Sequence, residues 1–207
     1  MKVGFIGAGM IARAVATLML KQGHEVMFSN SRSPDTLFTL RRTLGCEAGT
    51  PEEAAEFGDI VLVATPLKNY RSIPAAPLAG KIVLDAQNYY PERDGNIAEL
   101  DNHETTTSEL LARHLPNSII VKAFNAIAAP DVEKDGRPAG SINRRALPIA
   151  GNDPEAKRVV ANLIEQMGFD VVDAGPLAAG KRFEEGTAVY CVPLNSEQLK
   201  TSLAAVK

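Results

Sequence analysis

The chain has 207 residues, a length that suits one domain on the usual scale of about 100–200 residues each. Hydrophobic residues make up 45% and charged residues 23%, a globular composition that excludes a disordered chain. A net charge of -3 excludes the basic footprint of a nucleic-acid binder. No apolar run approaches the roughly 20 residues that span a bilayer. The longest, around Ile60 to Ala64, is strand-sized. Met1-Lys2-Val3-Gly4-Phe5-Ile6-Gly7 is too short in apolar length for a signal-peptide core, so a cytoplasmic protein that does not engage membranes is expected. Cys46 and Cys191 stand far apart with no ligand pattern around them, which argues against a disulfide framework and against a metal site.

Val3 to Ile6 reads as a short buried strand. A glycine turn follows, then a helix to about Lys21 that Gly23 closes in the C′ role. His24 to Phe28 reads as a second strand. Ser33-Pro34, Thr50-Pro51 and Asp153-Pro154 each pair a capping residue with proline and open helices. Thr50 with Glu53 and Thr106 with Glu109 fit capping boxes. Further strands fall at Ile60–Ala64, Ile82–Asp85, Ile119–Lys122, Leu147–Ala150 and Phe169–Asp173, and Pro148 predicts that its strand lies near an edge. Val160, Leu163, Ile164 and Met167 form a helical stripe that must pack on a sheet. Short apolar strands alternating with helices predict an α/β, doubly wound parallel sheet. One unit is expected, with a core of about residues 1–150 and a C-terminal α/β extension of about 151–207. The polar stretch Gln87 to Glu104 reads as a long functional loop.

Gly7-Ala8-Gly9-Met10-Ile11-Ala12 follows a strand and opens a helix. Its first glycine permits a tight turn, its second lets backbone approach a pyrophosphate, and the small residue Ala12 permits close helix–strand packing. The helix start offers free N–H groups to phosphates. A bare connecting turn is the bland alternative. Dinucleotide-binding folds for NAD place Asp or Glu about 20 residues further on. Here the segment is Ser29-Asn30-Ser31-Arg32, with hydroxyls and a guanidinium instead. Arginine forms paired bonds to phosphate, so the pattern points to NADP(H), with Ser31 and Arg32 on the 2′-phosphate. Otherwise Arg32 is a solvated loop charge.

Ligands of open α/β sheets bind at the carboxyl ends of strands. That places Thr65, Pro66, Asn88, Asn125 and Ala126 near the ribose and nicotinamide. Asn88 and Asn125 suit carboxamide or ribose contacts, or else cap turns. Thr106 is explained by capping alone, with an anionic substrate group at that helix start as a second reading. No acid–base or nucleophile constellation is present. His24 and His114 read as structural, and His103, in the polar loop, is the histidine best placed for substrate. Lys122 reads equally as a substrate or phosphate contact and as an exposed structural lysine, and Cys191 as a small buried hydrophobe. Such a set suits hydride transfer, which rests on proximity and orientation.

The ordered set Gly7–Ala12, Ser29–Arg32, Lys122-Ala123-Phe124-Asn125, Ala150-Gly151-Asn152-Asp153 and Asp173-Ala174-Gly175-Pro176-Leu177 resembles NADPH-dependent reductases of the deazaflavin coenzyme F420. It is similar also to the NADPH-binding part of the STEAP metalloreductases. The resemblance implies a Rossmann fold, a homodimer, and direct hydride transfer from NADPH to a stacked flavin-like acceptor, F420 or a flavin. It implies that Asn125, Asn88, Tyr89 and Tyr90 border the transfer site. A non-catalytic NADP(H) redox sensor is the alternative of another class. A pyrroline-carboxylate-reductase-like imine reductase is a further alternative, since the Gly7–Ala12 turn resembles pyrroline-carboxylate reductases and β-hydroxyacid dehydrogenases too. Those follow it with a large helical domain, however, and only 32 residues stand after Gly175.

Overall fold

The computed structural model describes residues 1–206. Its elements, in chain order, are β1 Lys2–Ile6, α1 Met10–Lys21, β2 Glu25–Ser29, α2 Phe38–Leu44, β3 Glu47–Gly49, α3 Pro51–Phe57 and β4 Ile60–Val63. Then come β5 Ile82–Asp85, α4 Pro91–Asp94, α5 Ala98–Asp101, α6 Thr107–His114, β6 Ile119–Lys122 and α7 Ala129–Lys134. The last are β7 Ala146–Gly151, α8 Pro154–Gln166, β8 Asp170–Asp173 and α9 Ser196–Ala205.

The eight strands form one sheet in the order β3-β2-β1-β4-β5-β6-β7-β8. From β3 to β6 every pairing is parallel. The chain winds outward from β1 to β3, then crosses back to β4 on the other side of β1. That reversal opens a crevice at the carboxyl ends of β1 and β4. Apolar residues on both faces of each central strand explain the burial. Phe5, Leu62, Leu84 and Val121 pack beneath α1, α7 and α8. Val61, Val63, Val83 and Ile120 face α3 and α6 on the other side. This is the doubly wound α/β architecture expected from the strand pattern.

Several expectations are corrected. β7 runs antiparallel to β6, and the two meet only at Val121↔Gly151 and Lys122↔Ala150. Pro148 lies one strand in from the edge, near it as expected, with β8 on its outer side. Its missing N–H does no harm there. The Arg145 and Ile149 carbonyls face β8, so alternation turns Pro148 to the opposite side, where β6 has splayed away. The strand β3 has only three residues and no apolar alternation, so periodicity does not reveal it. The Gln87–Glu104 segment is no open loop. It holds α4 and α5, and the Tyr89 hydroxyl gathers Asp101 (2.7 Å), the Ile97 N–H (2.9 Å) and the Gly95 carbonyl (3.2 Å) around itself.

Both capping boxes form, at Thr50–Glu53 and Thr106–Glu109. Among the described residues no helix is long and apolar enough to cross a membrane. The C-terminal segment returns to the sheet and docks Phe183, Val189, Leu199 and Leu203 against Ala146, Ala150 and Val172.

Helix α3 lies close on β1 because Gly4 has no side chain. A methyl group there would collide with the backbone carbonyl of Ala54, which cannot swing aside. Gly4→Ala is expected to cost about 3 kcal/mol, the upper part of the overpacking range. For a chain of this size that lowers the melting temperature by roughly 10 °C. Thermal unfolding followed by circular dichroism checks it, and a fall under about 2 °C would show that α3 can lift from the sheet.

Candidate functional site: a two-part cleft at the carboxyl ends of the strands

The turn between β1 and α1 takes its shape from Gly7, with φ of +112°. A Cβ there would stand 2.5 Å from the Ala64 carbonyl oxygen. Both facts demand glycine. Gly9 differs, for a Cβ built on it meets no atom within 4 Å. Its bareness leaves open space above the helix start. No side chain caps α1, and its first turn holds no acidic residue. The N–H groups there carry the partial positive charge of the helix dipole. Ala12 is fully buried against the sheet, the packing role its small size predicts.

A cavity of about 350 Å³ opens beside this turn. Gly7, Ala8, Gly9, Asn30, Ser31, Arg32, Thr65 and Pro66 line it. Ser31 and Arg32 are exposed, with side chains free for a ligand. Asn30 shapes their loop: its Oδ1 accepts the Arg32 N–H at 2.9 Å and its Nδ2 donates to Thr36 at 2.9 Å. Ser29 is turned inward. It is buried and donates to the Phe5 carbonyl at 2.9 Å, so it braces β2 and does not face the cavity. Arg13 also lines the cavity, and its Nε reaches back to the Ala8 carbonyl at 2.8 Å. Sequence reading missed Arg13. It sits one residue past the glycine motif, and only the first turn of the helix brings its guanidinium back over the loop. Leu37, Pro51 and Ile73 add an apolar wall from three separate elements.

A second cavity of about 470 Å³ adjoins the first and shares Gly9, Ala64, Thr65 and Pro66 with it. Met10, Ile11, Asn88 and Asn125 line it as the sequence suggested. Asn88 and Asn125 are locked to each other. Asn88 Nδ2 donates to the Asn125 carbonyl at 3.0 Å, and Asn125 Nδ2 donates to Asn88 Oδ1 at 3.2 Å and to the Phe183 carbonyl at 3.0 Å. Gln87 Nε2 holds Thr65 through its carbonyl (3.2 Å) and hydroxyl (3.0 Å). Gln87, Phe124 and Tyr90 also line it, at the strand ends and loop expected there, while Arg93, Tyr190 and Cys191 were not read as ligand contacts from sequence. Tyr190 and Cys191 lie about a hundred positions from Tyr90, and nothing local marks them. Cys191 is half-buried in this wall, not a core hydrophobe, and burial pushes its thiol up. Phe124 and Cys191 both adopt left-handed backbone, φ of +62° and +57°, which is unusual for such residues. Ala126 faces away, packed with Phe183 and Val189. His103 is exposed and lines a separate groove with Asp101, Thr105 and Lys181, so it does not border the second cavity. His114 bonds the Ile73 carbonyl at 2.8 Å.

Behind the second cavity lies a buried charge cluster. Lys122 has no exposed surface. Its Nζ donates to Thr107 Oγ1 at 2.6 Å and pairs with Glu184 at 3.0 Å. It also approaches Ser108 Oγ (3.4 Å) and the Gln87 carbonyl (3.5 Å). Lys122 is thus neither an exposed lysine nor a ligand contact. Its stem passes where Gly180 lacks a side chain, for a Cβ there would stand 2.6 Å from Lys122 Cδ. Glu184 also receives the Thr107 N–H at 3.2 Å and its hydroxyl at 2.6 Å. The anion at the start of α6 is therefore the chain's own carboxylate, which answers the substrate reading of that helix. Burial pushes Glu184 up, but Lys122 and Thr107 outweigh it and hold the carboxyl below its ordinary value. Burial wins at Asp85, which stays above the ordinary value although Lys122 and Ser108 favour its charge. Ser108 donates to it at 2.5 Å.

Two outcomes follow from this geometry. Glu184→Gln leaves Lys122 buried without its closest carboxylate, so a loss of about 3–5 kcal/mol at neutral pH is expected from urea unfolding. A depressed carboxyl stabilises above its ordinary pKa and loses that contribution as pH falls through its folded value. The gap between wild type and variant should therefore narrow below the ordinary Glu value of 4.5. A gap independent of pH would contradict the pairing. Gly9→Ala, by contrast, should leave stability within about 1 kcal/mol, read by the same unfolding, because a methyl group there meets no atom.

With this geometry in view, the comparisons with known proteins are informative. Residues 2–89 match the family model described as NADP oxidoreductase coenzyme F420-dependent. Rat metalloreductase STEAP3 is 34% identical over 185 residues, 88% of this chain and 36% of that protein. The chain thus spans about a third of the length of the curated relatives it matches. A solved hypothetical protein from Sinorhizobium meliloti shares 29% identity at a TM-score of 0.80, covering 94% of this chain and 95% of the other. A candidate F420-dependent NADP-reductase from Arthrobacter sp. FB24 shares 26% identity at a TM-score of 0.76, covering 87% of each chain. The match at residues 2–89 spans the strand–turn–helix that builds the first cavity, so that part of the chain is what is similar to the coenzyme F420-dependent NADP oxidoreductases.

Proposed function

We propose that the chain passes hydride from NADPH to a planar, flavin-like small-molecule acceptor, coenzyme F420 or a flavin. The observation that carries this reading is the pair of contiguous cavities, with Arg13, Ser31 and Arg32 around the first and no carboxylate among its lining residues. The donor set fits a dinucleotide with an extra phosphate. Gly9 leaves room for the pyrophosphate at the uncapped start of α1. Ser31 and Arg32 offer a hydroxyl and a guanidinium to a 2′-phosphate, with Arg13 as a second guanidinium nearby. Leu37, Pro51 and Ile73 give a purine an apolar surface. Asn88, Asn125 and Thr65 stand where the carboxamide and ribose need partners.

When bound, the dihydronicotinamide supplies the hydride. The chain's own residues orient and enclose. Gln87 fixes Thr65, and the interlocked Asn88 and Asn125 hold the cavity wall at a set width. Phe124, Ile127 and Ala128 give part of the wall an apolar surface, which limits water at the transfer. No histidine or carboxylate lines the second cavity, so orientation and exclusion of water are its contribution. In this reading the chain acts as one NADP-binding unit, core 1–150 with extension 151–207, in a cytoplasmic homodimer.

Arg32→Ala is expected to weaken NADPH by about 10- to 100-fold, the value of lost charge-assisted bonds. NADH should change by less than about threefold, since it has no 2′-phosphate to lose. Fluorescence titration of both cofactors checks the split, and equal loss for both would sink the NADP assignment. Oxidation of bound NADPH by F420, FMN or FAD then tests the acceptor. Tight NADPH binding with no turnover across that panel would favour a redox sensor.

A further inference from the structure

Two phenols that the proposed cofactor contacts do not use meet at the second cavity. Tyr90 follows β5 and Tyr190 lies in the C-terminal segment, yet their hydroxyl oxygens are hydrogen-bond partners. Both side chains line the cavity beside Asn88 and Asn125. Simple proton counting sets the chemistry. Each phenol carries one O–H, and the bond between them uses one of the two. The pair therefore presents one O–H hydrogen in search of an acceptor. Neither hydroxyl bonds a carbonyl or carboxylate among the described residues. The neighbouring Cys191 sulfur is a weak acceptor.

The pair is also held in place. The Arg93 guanidinium stacks 4.7 Å from the Tyr90 ring centre. Arg93 is itself fixed by the Asn88 carbonyl and the Asp94 carboxylate, each at 2.7 Å. Asp94 also accepts the Tyr90 N–H at 3.1 Å. On the other side, Val189 is buried against Phe183, which anchors the segment that carries Tyr190. Burial and the hydrogen bond with Tyr90 push the Tyr190 phenol up, so it stays protonated at neutral pH.

We infer that the Tyr90–Tyr190 pair determines which acceptor the second cavity takes, by donating one hydrogen bond to a carbonyl oxygen of a planar heterocycle. The inference rests on the proposed reading that the acceptor stacks on the nicotinamide in this cavity. An acceptor with a ring carbonyl satisfies the free O–H. A flat ring of the same size without one leaves that O–H desolvated and unpaired, which is the stronger source of discrimination.

The test compares lumiflavin, which has ring carbonyls, with anthracene, a fluorescent tricycle that has no hydrogen-bond acceptor. Each is titrated by fluorescence into the full chain, with and without saturating NADP+, in wild type, Tyr90→Phe, Tyr190→Phe and the double variant. Wild type is expected to prefer lumiflavin by about tenfold, the worth of one hydrogen bond. At least one single variant should lose that preference, with lumiflavin bound more weakly and anthracene bound no more weakly than by wild type. The double variant should be no weaker than the worse single one, because the pair presents a single O–H. An equal loss for both probes, no loss in any variant, or no lumiflavin binding by wild type would each overturn the inference. Failure to bind NADPH in a parallel titration would overturn the cofactor reading instead, and the ratio of the two probes would still decide the role of the phenols.

Discussion

The structure depends on one buried cation. An ammonium group with no exposed surface costs several kcal/mol unless carboxylate and hydroxyl partners surround it. Lys122 finds them on separate parts of the fold: Thr107 and Ser108 on α6, the backbone at Gln87 and the carboxylate of Glu184. Asp85 lies beside it in the β5–β6 register. Meeting those demands draws α6 and the C-terminal segment onto the ends of two central strands. The fit is close, since the lysine stem occupies the place where any side chain at position 180 would stand.

The second cavity inherits its geometry from that cluster. Glu184 fixes the backbone next to Phe183, whose carbonyl receives Asn125. The same segment then carries Tyr190 and Cys191 to the cavity. Phe124 and Cys191 hold left-handed backbone there, at a cost of roughly 1 kcal/mol or more each that the surrounding packing must outweigh. The first cavity owes nothing to this arrangement. It is built from backbone turns at the ends of β1 and β2, with glycine at the one position where a side chain would strike Ala64.

This division separates a general part from a particular part. The first cavity presents N–H groups, hydroxyls and guanidinium groups, which suit phosphate chemistry. The second presents amides, phenols, the Arg93 guanidinium, the Cys191 thiol and apolar atoms, with no histidine or carboxylate among its lining residues. A transfer of hydride between two stacked rings asks for alignment and dryness. Locked amides and an apolar wall meet that need.

Local chemistry made much of this legible in the sequence. The strand positions, the capping boxes, the Gly7–Ala12 turn and the Ser31-Arg32 pair each depend on neighbours within a few residues. Side-chain alternation, φ limits and capping geometry act over that range. Residues whose role is set by distant partners were not legible. Ser29 and Ala126 point inward because β2 and the C-terminal cluster bury them. His103 is held in another groove by α4 and α5. Lys122 is buried, and Tyr190 reaches Tyr90, only because the chain returns across the sheet. Sequence by itself determined the Rossmann framework and the glycine turn with the Ser31-Arg32 pair beside it. Tertiary structure alone decided the make-up of the second cavity, because contacts between residues far apart in the chain leave no periodic or local trace.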